Sequence, residues 1–135
     1  MSDTKAAELG IKPLARIVSS AVTSLNPEIM GLGPIESIKQ ALERAELTVD
    51  DIDMFEINEA FAVQVLGSAD EIGIPEEKLN VNGGSIALGH PFGMTGARIM
   101  TTLLNGLQDS GGRYGVESMC VGGGQGMAMV IERLD

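Results

Sequence analysis

The side chains best suited to chemistry lie in three separate loops of this 135-residue sequence. Asn58 follows an apolar stretch that ends at Ile57, His90 is the only histidine, and Cys120 is the only cysteine. An asparagine amide can hold a water or a substrate oxygen, a histidine exchanges protons near neutral pH, and a cysteine thiolate is a nucleophile or a base. The three loops are therefore the candidates for an active site.

Each of the three residues also has a structural interpretation. Asn58 stands where a helix is predicted to begin, and an asparagine there commonly caps the helix. His90, which lies between Gly89 and Pro91, could simply make a local hydrogen bond. Cys120 could be a small buried hydrophobe, because a reactive thiol needs an activating environment. The residue types alone leave both interpretations open.

The longest glycine-rich loop, within residues 83–98, follows one predicted strand and opens a predicted helix. Such a loop could hold an anion on its backbone N–H groups. It has neither the lysine of a P-loop nor the G-x-G-x-x-G spacing of a dinucleotide site. A role in binding nucleotide phosphates is therefore poorly supported.

Hydrophobic periodicity predicts the elements that position these loops. Strand, helix, strand, helix, strand and helix alternate, and two strands follow around the glycines 122–124. This order predicts an α/β fold of layers, with a mixed, mostly parallel sheet that ends in an antiparallel hairpin. Strands are predicted over 14–22, 51–57, 79–81, 114–121 and 126–131, and helical segments over 3–10, 35–45, 61–72 and 99–107.

Composition excludes several classes of function. The net charge of -10 argues against nucleic acid as a partner, because phosphates are neutralised by cations. One cysteine and one histidine cannot make a closed zinc site, so no metal is expected. No apolar run approaches the length of a membrane span and no secretory segment is visible at the start. We therefore expect a cytoplasmic protein without a membrane partner.

Taken together, the three loops resemble the thiolase family. The resemblance covers essentially the whole chain, and three long motifs in one order are far more specific than any single glycine-rich loop. Two small departures are Ser85, where alanine is common, and Thr95, where serine is common. The motifs are NEAFA at 58–62, GGSIALGHPFGMTGAR at 83–98 and CVGGGQGMA at 120–128, supported by KPLARIV at 12–18, PEIMG at 27–31 and NVNGG at 80–84.

The resemblance implies a thiolase-type half, with residues 1–11 a remnant of the preceding half and residues 12–135 the C-terminal domain. Thiolases interconvert a 3-ketoacyl-CoA plus CoA with two acyl-CoA molecules, and a cysteine thiolate carries the acyl group between the two steps. That nucleophile, and most of the coenzyme A surface, belong to the half that this chain does not match. A coenzyme A thioester is thus the expected substrate, with no tightly bound cofactor.

The resemblance also implies residue roles. His90 would activate the absent cysteine and donate a hydrogen bond to a thioester oxygen, and Asn58 would hold a water that completes this oxyanion hole. Each such donor contributes about 3 kcal/mol in a dry site. Cys120 would be the acid and base, and the N–H of Gly122 would help to form a second oxyanion hole.

Four further positions have expected roles in or around the site. Ala60 and Phe61 would line the channel for the pantetheine arm. Glu59 would have a structural, hydrogen-bonding role. Arg98 would anchor its helix or a loop, with a contact to a coenzyme A phosphate as the alternative.

Three hypotheses for the chain follow. It is an enzyme component that is catalytic only with its missing half, a non-catalytic dimerisation or interaction module, or a fragment with no function of its own. A half of this kind should expose the apolar surface that its partner covers, so we expect self-association.

Overall fold

The structure is a computed structural model that describes residues 1–134. Asp135, the last residue of the predicted C-terminal domain, lies outside the described residues. Within that part of the chain, no helix is both long and apolar enough to cross a membrane. The helices are α1 Asp3–Glu8, α2 Gly33–Ala45, α3 Ala62–Ile72, α4 Ser85–Leu88 and α5 Thr95–Ser110, and the strands are β1 Ala15–Ser24, β2 Met54–Ile57, β3 Tyr114–Val121 and β4 Gln125–Arg133.

The four strands form one sheet in the order β1-β4-β3-β2. The mixed α/β sheet and its antiparallel hairpin, β3 with β4, are confirmed. Parallel pairing is confined to β2 with β3, whereas β1 runs antiparallel to β4, so the sheet is less parallel than expected. The reason is that β4 turns back beside β3 and occupies the centre of the sheet, and its other edge receives β1.

The strand predicted at 79–81 is wrong. Leu79 makes only an isolated parallel bridge to Phe55 of β2. Asn80 then takes a φ of 45°, in the left-handed region, which an extended strand cannot accommodate. The chain therefore turns at Asn80 and enters the glycine-rich loop directly.

Helices cover both faces of the sheet and bury the apolar stripes that the sequence predicts. On one face α2 and α3 pack on a core that includes Phe55 and Val130, both fully buried. On the other face α5 packs with Leu103 and Leu107 against Met54 of β2. α5 ends at Gly111, whose φ of 75° terminates the helix.

A close backbone approach fixes the hairpin against α2. A Cβ atom on Gly126 of β4 would collide with the carbonyl oxygen of Gly33, the first residue of α2. Only glycine permits this crossing. The contact holds the turn 122–124, which the sequence marks as a candidate loop, in a fixed place at the end of the sheet.

Candidate active site

Asn58 lies immediately beyond the short, fully buried strand β2. The helix-cap interpretation is wrong, because α3 begins only at Ala62 and Phe61 takes the N-cap position. Asn58 is fully buried, and its backbone N–H donates to the carbonyl of Ser118 on β3 at 2.9 Å. Its side chain is thus held rigidly at the carboxyl edge of the two parallel strands.

The side chains of Asn58 and His90 are in direct contact. The Nδ2 atom of Asn58 lies 3.3 Å from the Nε2 atom of His90. The other ring nitrogen, Nδ1, lies 2.6 Å from the hydroxyl of Thr95, the first residue of α5. That hydroxyl donates its single proton to the carbonyl of Pro91 at 3.1 Å, so it accepts from Nδ1–H. In the neutral ring this contact favours a proton on Nδ1, which leaves Nε2 able to act as a base.

The carbonyl end of the Asn58 side chain is held by a second set of contacts. Its Oδ1 atom accepts from the Ser85 hydroxyl at 2.6 Å, and the Ser85 oxygen accepts from Nη2 of Arg98 at 2.8 Å. Arg98 also lies 3.8 Å from the buried carboxylate of Glu56. The expectation that Arg98 anchors a loop is confirmed. Its side chain is only 11% exposed, so the guanidinium is largely shielded from solvent.

Glu59 has the structural role that the sequence predicts. Its carboxylate accepts from the Asn80 side chain at 3.0 Å and from the Ile86 backbone N–H at 2.9 Å. A Cβ atom on Gly84 would collide with this carboxylate, so the glycine is needed for the approach. Glu59 thereby ties the chain after β2 to the loop that carries His90.

Cys120 and Gly122 lie at the same edge of the sheet, near the end of β3 and in the turn that follows. The Cys120 thiol is partly buried, and burial raises its pKa. A Cβ atom on Gly122 would meet nothing within 4 Å, so its backbone is open to an incoming group. The structure brings Asn58 and His90 into contact and places Cys120 and Gly122 nearby on the adjacent strand end.

The predicted pantetheine-channel residues stand at an exposed apolar rim. Phe61 is 73% exposed and Ala60 is half-buried. Phe92, 89% exposed, packs edge-on against the His90 ring with centroids 5.0 Å apart. We call Phe61, Phe92 and the exposed Ile86 and Leu88 the apolar rim.

Sequence reasoning missed the contributions of Ser85 and Thr95. Both were noted only as departures from the residues that are common in the family that this sequence resembles. The available signal was a hydroxyl residue at the start of the helix that follows the histidine, and a second one two residues after Gly83. Among residues 1–134, no group of three or more His, Cys, Asp or Glu is arranged to hold a metal ion.

Comparison with known proteins identifies the family of this chain. The family model described as "Thiolase, C-terminal domain" matches residues 11–133. This chain belongs to the thiolase family. It is 52% identical over 136 residues to an acetyl-CoA acetyltransferase of Syntrophomonas wolfei, covering 99% of this chain and 34% of that protein. It is 53% identical over 136 residues to a 3-ketoacyl-CoA thiolase of Aliivibrio salmonicida, covering 98% of this chain and 35% of that protein.

Solved structures of thiolases have the same fold over the same region. The acetyl-CoA acetyltransferase of Bacillus anthracis superposes with a TM-score of 0.96 at 48% identity, covering 99% of this chain and 34% of that one. Human mitochondrial 3-ketoacyl-CoA thiolase in complex with CoA gives a TM-score of 0.97 at 45% identity, with the same coverage. This chain thus spans about a third of the length of the thiolases that it matches.

Proposed function

We propose that this chain forms the C-terminal half of a thiolase active site and takes part in acyl transfer between coenzyme A thioesters. The observation that carries the proposal is the contact between Asn58 and His90, in which the Nε2 atom of the histidine faces a buried amide. A ring held in this way can take the proton of an incoming thiol. Once protonated, it can donate a hydrogen bond to a thioester oxygen.

In this proposal the nucleophilic cysteine comes from the half of the enzyme that lies outside the region matched here. His90 activates that thiol, and Asn58 holds a water that acts with His90 as the first oxyanion hole. Such donors matter most where negative charge develops in a water-poor site, at about 3 kcal/mol each. The burial of Asn58 and its fixed backbone support this role, because a preorganised donor needs no rearrangement during the reaction.

Cys120 is proposed as the acid and base for the carbon that gains or loses a proton. Burial raises the pKa of its thiol, so the resting group is protonated and suited to donate a proton to a product carbanion. The exposed backbone of Gly122 is proposed to give its N–H to the second oxyanion hole. Ala60 and Phe61 are proposed to line the pantetheine channel from the apolar rim.

The partner in this proposal is the thiolase N-terminal half. Besides the apolar rim, an open apolar groove of about 790 Å³ lies between α1, α5 and the β1 edge of the sheet. Ile17 on its wall is 64% exposed and Leu14 is 56% exposed. Apolar surfaces of this extent mark an interaction site. The cytoplasmic location and a role in fatty acid metabolism stay predictions.

A non-catalytic interaction module is the second candidate, and the same exposed groove favours it. Under that proposal the chain pairs with itself through the apolar surfaces and needs no chemistry from His90. The two candidates differ in whether turnover follows when an N-terminal half is supplied.

The experiment is complementation. The chain is co-produced with the N-terminal portion of a full-length thiolase, and thiolytic cleavage of acetoacetyl-CoA is followed. We expect turnover that falls about 10²-fold or more in Asn58→Ala and in His90→Asn, the range known for removal of an oxyanion donor or a general base. Glu43→Gln, an exposed change on α2, is the control and should leave turnover intact. Full activity in His90→Asn would contradict the proposal.

A further inference from the structure

A directed series of hydrogen bonds runs from Arg98 through Ser85 to Asn58. A guanidinium has only donors, so at 2.8 Å from the Ser85 oxygen it must donate to it. The Ser85 hydroxyl has one proton, which it donates to the Oδ1 atom of Asn58 at 2.6 Å, because an amide oxygen can only accept. Ser85 and Asn58 are both buried, so their contact is shielded from bulk solvent.

This direction determines which end of the Asn58 amide faces the histidine. With Oδ1 occupied by Ser85, the NH₂ group points at Nε2 of His90. An NH₂ group can only donate, so it favours an unprotonated Nε2. Thr95 favours the same tautomer from the other side of the ring, because it accepts from Nδ1–H. Both neighbours of the ring therefore favour Nδ1–H.

We propose that Arg98 and Ser85 are positioning residues that set the amide orientation of Asn58 and thereby keep His90 in the Nδ1–H tautomer. Arg98 is kept in place by the buried Glu56 on β2, 3.8 Å away. The contribution of these residues to catalysis rests on the proposed function. The directions of the hydrogen bonds and the tautomer of His90 can be tested without measuring turnover.

The test uses the full chain and its single histidine, which gives one imidazole in a long-range ¹H–¹⁵N spectrum. At alkaline pH we expect a protonated Nδ1 and an unprotonated Nε2 in the unchanged protein. In Ser85→Ala the Oδ1 atom loses its donor and the amide can turn to accept from Nε2–H, because a buried acceptor without a partner is costly. The fraction of the Nε2–H tautomer should then rise about tenfold, the effect of about one hydrogen bond.

The matched control is Ser68→Ala on α3. Ser68 is also fully buried, and its hydroxyl has no hydrogen-bond partner among the residues that the structure describes. This change should leave the His90 spectrum as it is. Arg98→Met should shift the tautomer as Ser85→Ala does, and Arg98→Lys, which retains a donor, should restore it at least in part.

Two results would overturn the inference. One is an Nε2–H tautomer in the unchanged protein. This measurement needs no variant, so it decides the question even where a variant fails to fold. The other is a tautomer ratio in folded Ser85→Ala equal to that of the unchanged chain. Absence of turnover in every complemented sample would refute the proposed function and leave the spectroscopic test decisive.

Discussion

Replacing Glu117 by glutamine should make the protein more stable at neutral and alkaline pH. Glu117 lies in β3 opposite Glu56 of β2, in register and on the face that α5 covers. Burial raises the pKa of Glu117 to about 7, from an ordinary value of 4.5. The pKa of Glu56 is raised to about 7 by burial as well, although Arg98 opposes the shift and Glu59 adds to it. Arg98 lies beside Glu56, whereas burial alone accounts for the raised pKa of Glu117.

The sign and size of the effect follow from linkage. A carboxyl group whose folded-state pKa is raised binds its proton more tightly in the folded state, so the folded protein loses stability as pH rises from about 4.5 to about 7. A pKa difference of about 2.5, at about 1.4 kcal/mol for each pH unit, gives an upper limit of about 3.5 kcal/mol for Glu117 above pH 7. The neutral amide of glutamine has a similar shape and avoids this cost.

The assay is urea unfolding followed by circular dichroism across this pH range. Glu117→Gln and the unchanged chain should have similar free energies of unfolding near pH 4.5, and the variant should be more stable by roughly 2–3 kcal/mol near pH 8. The exposed Glu43→Gln on α2 should leave the pH dependence unchanged. Parallel curves for Glu117→Gln and the unchanged protein would refute the reasoning that Glu117 holds its proton in the fold.

Three further predictions concern packing and association. Gly126→Ala should destabilise the fold by more than about 2 kcal/mol in thermal unfolding, since its new Cβ atom meets the Gly33 carbonyl. Gly122→Ala, which has open space around it, should be close to neutral, and equal effects of the two changes would contradict the close crossing. Leu103→Ala should cost about 2–5 kcal/mol in urea unfolding because Leu103 of α5 is fully buried against the sheet. A loss below about 1 kcal/mol would argue against that packing. Phe92→Ser should reduce self-association in analytical ultracentrifugation without changing the unfolding midpoint, because Phe92 is 89% exposed; an unchanged sedimentation profile would exclude the apolar rim as the contact.

The sequence predicts most of the layers because the apolar stripes are regular. The α5 stripe of Ile99, Leu103 and Leu107 is fully buried as expected, and glycine ends the helix where the periodicity stops. Strand pairing is less predictable, because the same apolar strand can pair in either direction. The antiparallel pairing of β1 with β4 joins segments more than a hundred residues apart, and nothing local in either segment fixes it.

At the site, the residue types misjudged one local structure. Asparagine is a residue type that commonly caps a helix, but three residues separate Asn58 from the start of α3. Its amide therefore does not cap α3 and contacts His90 instead. The supporting hydroxyls were not predicted, because the contacts of Ser85 and Thr95 depend on how two loops meet in space. The pairing of Glu56 with Arg98 across a sheet and a helix has no local sequence signal either.

The most direct test of the central claim is thiolytic cleavage of acetoacetyl-CoA, measured first with this chain alone and then with an added thiolase N-terminal half. We predict no turnover with the chain alone and turnover after addition of that half, with loss of the activity in His90→Asn. Robust turnover by the chain alone that disappears in Cys120→Ala would contradict the account, since Cys120 would then be the nucleophile of a self-sufficient site.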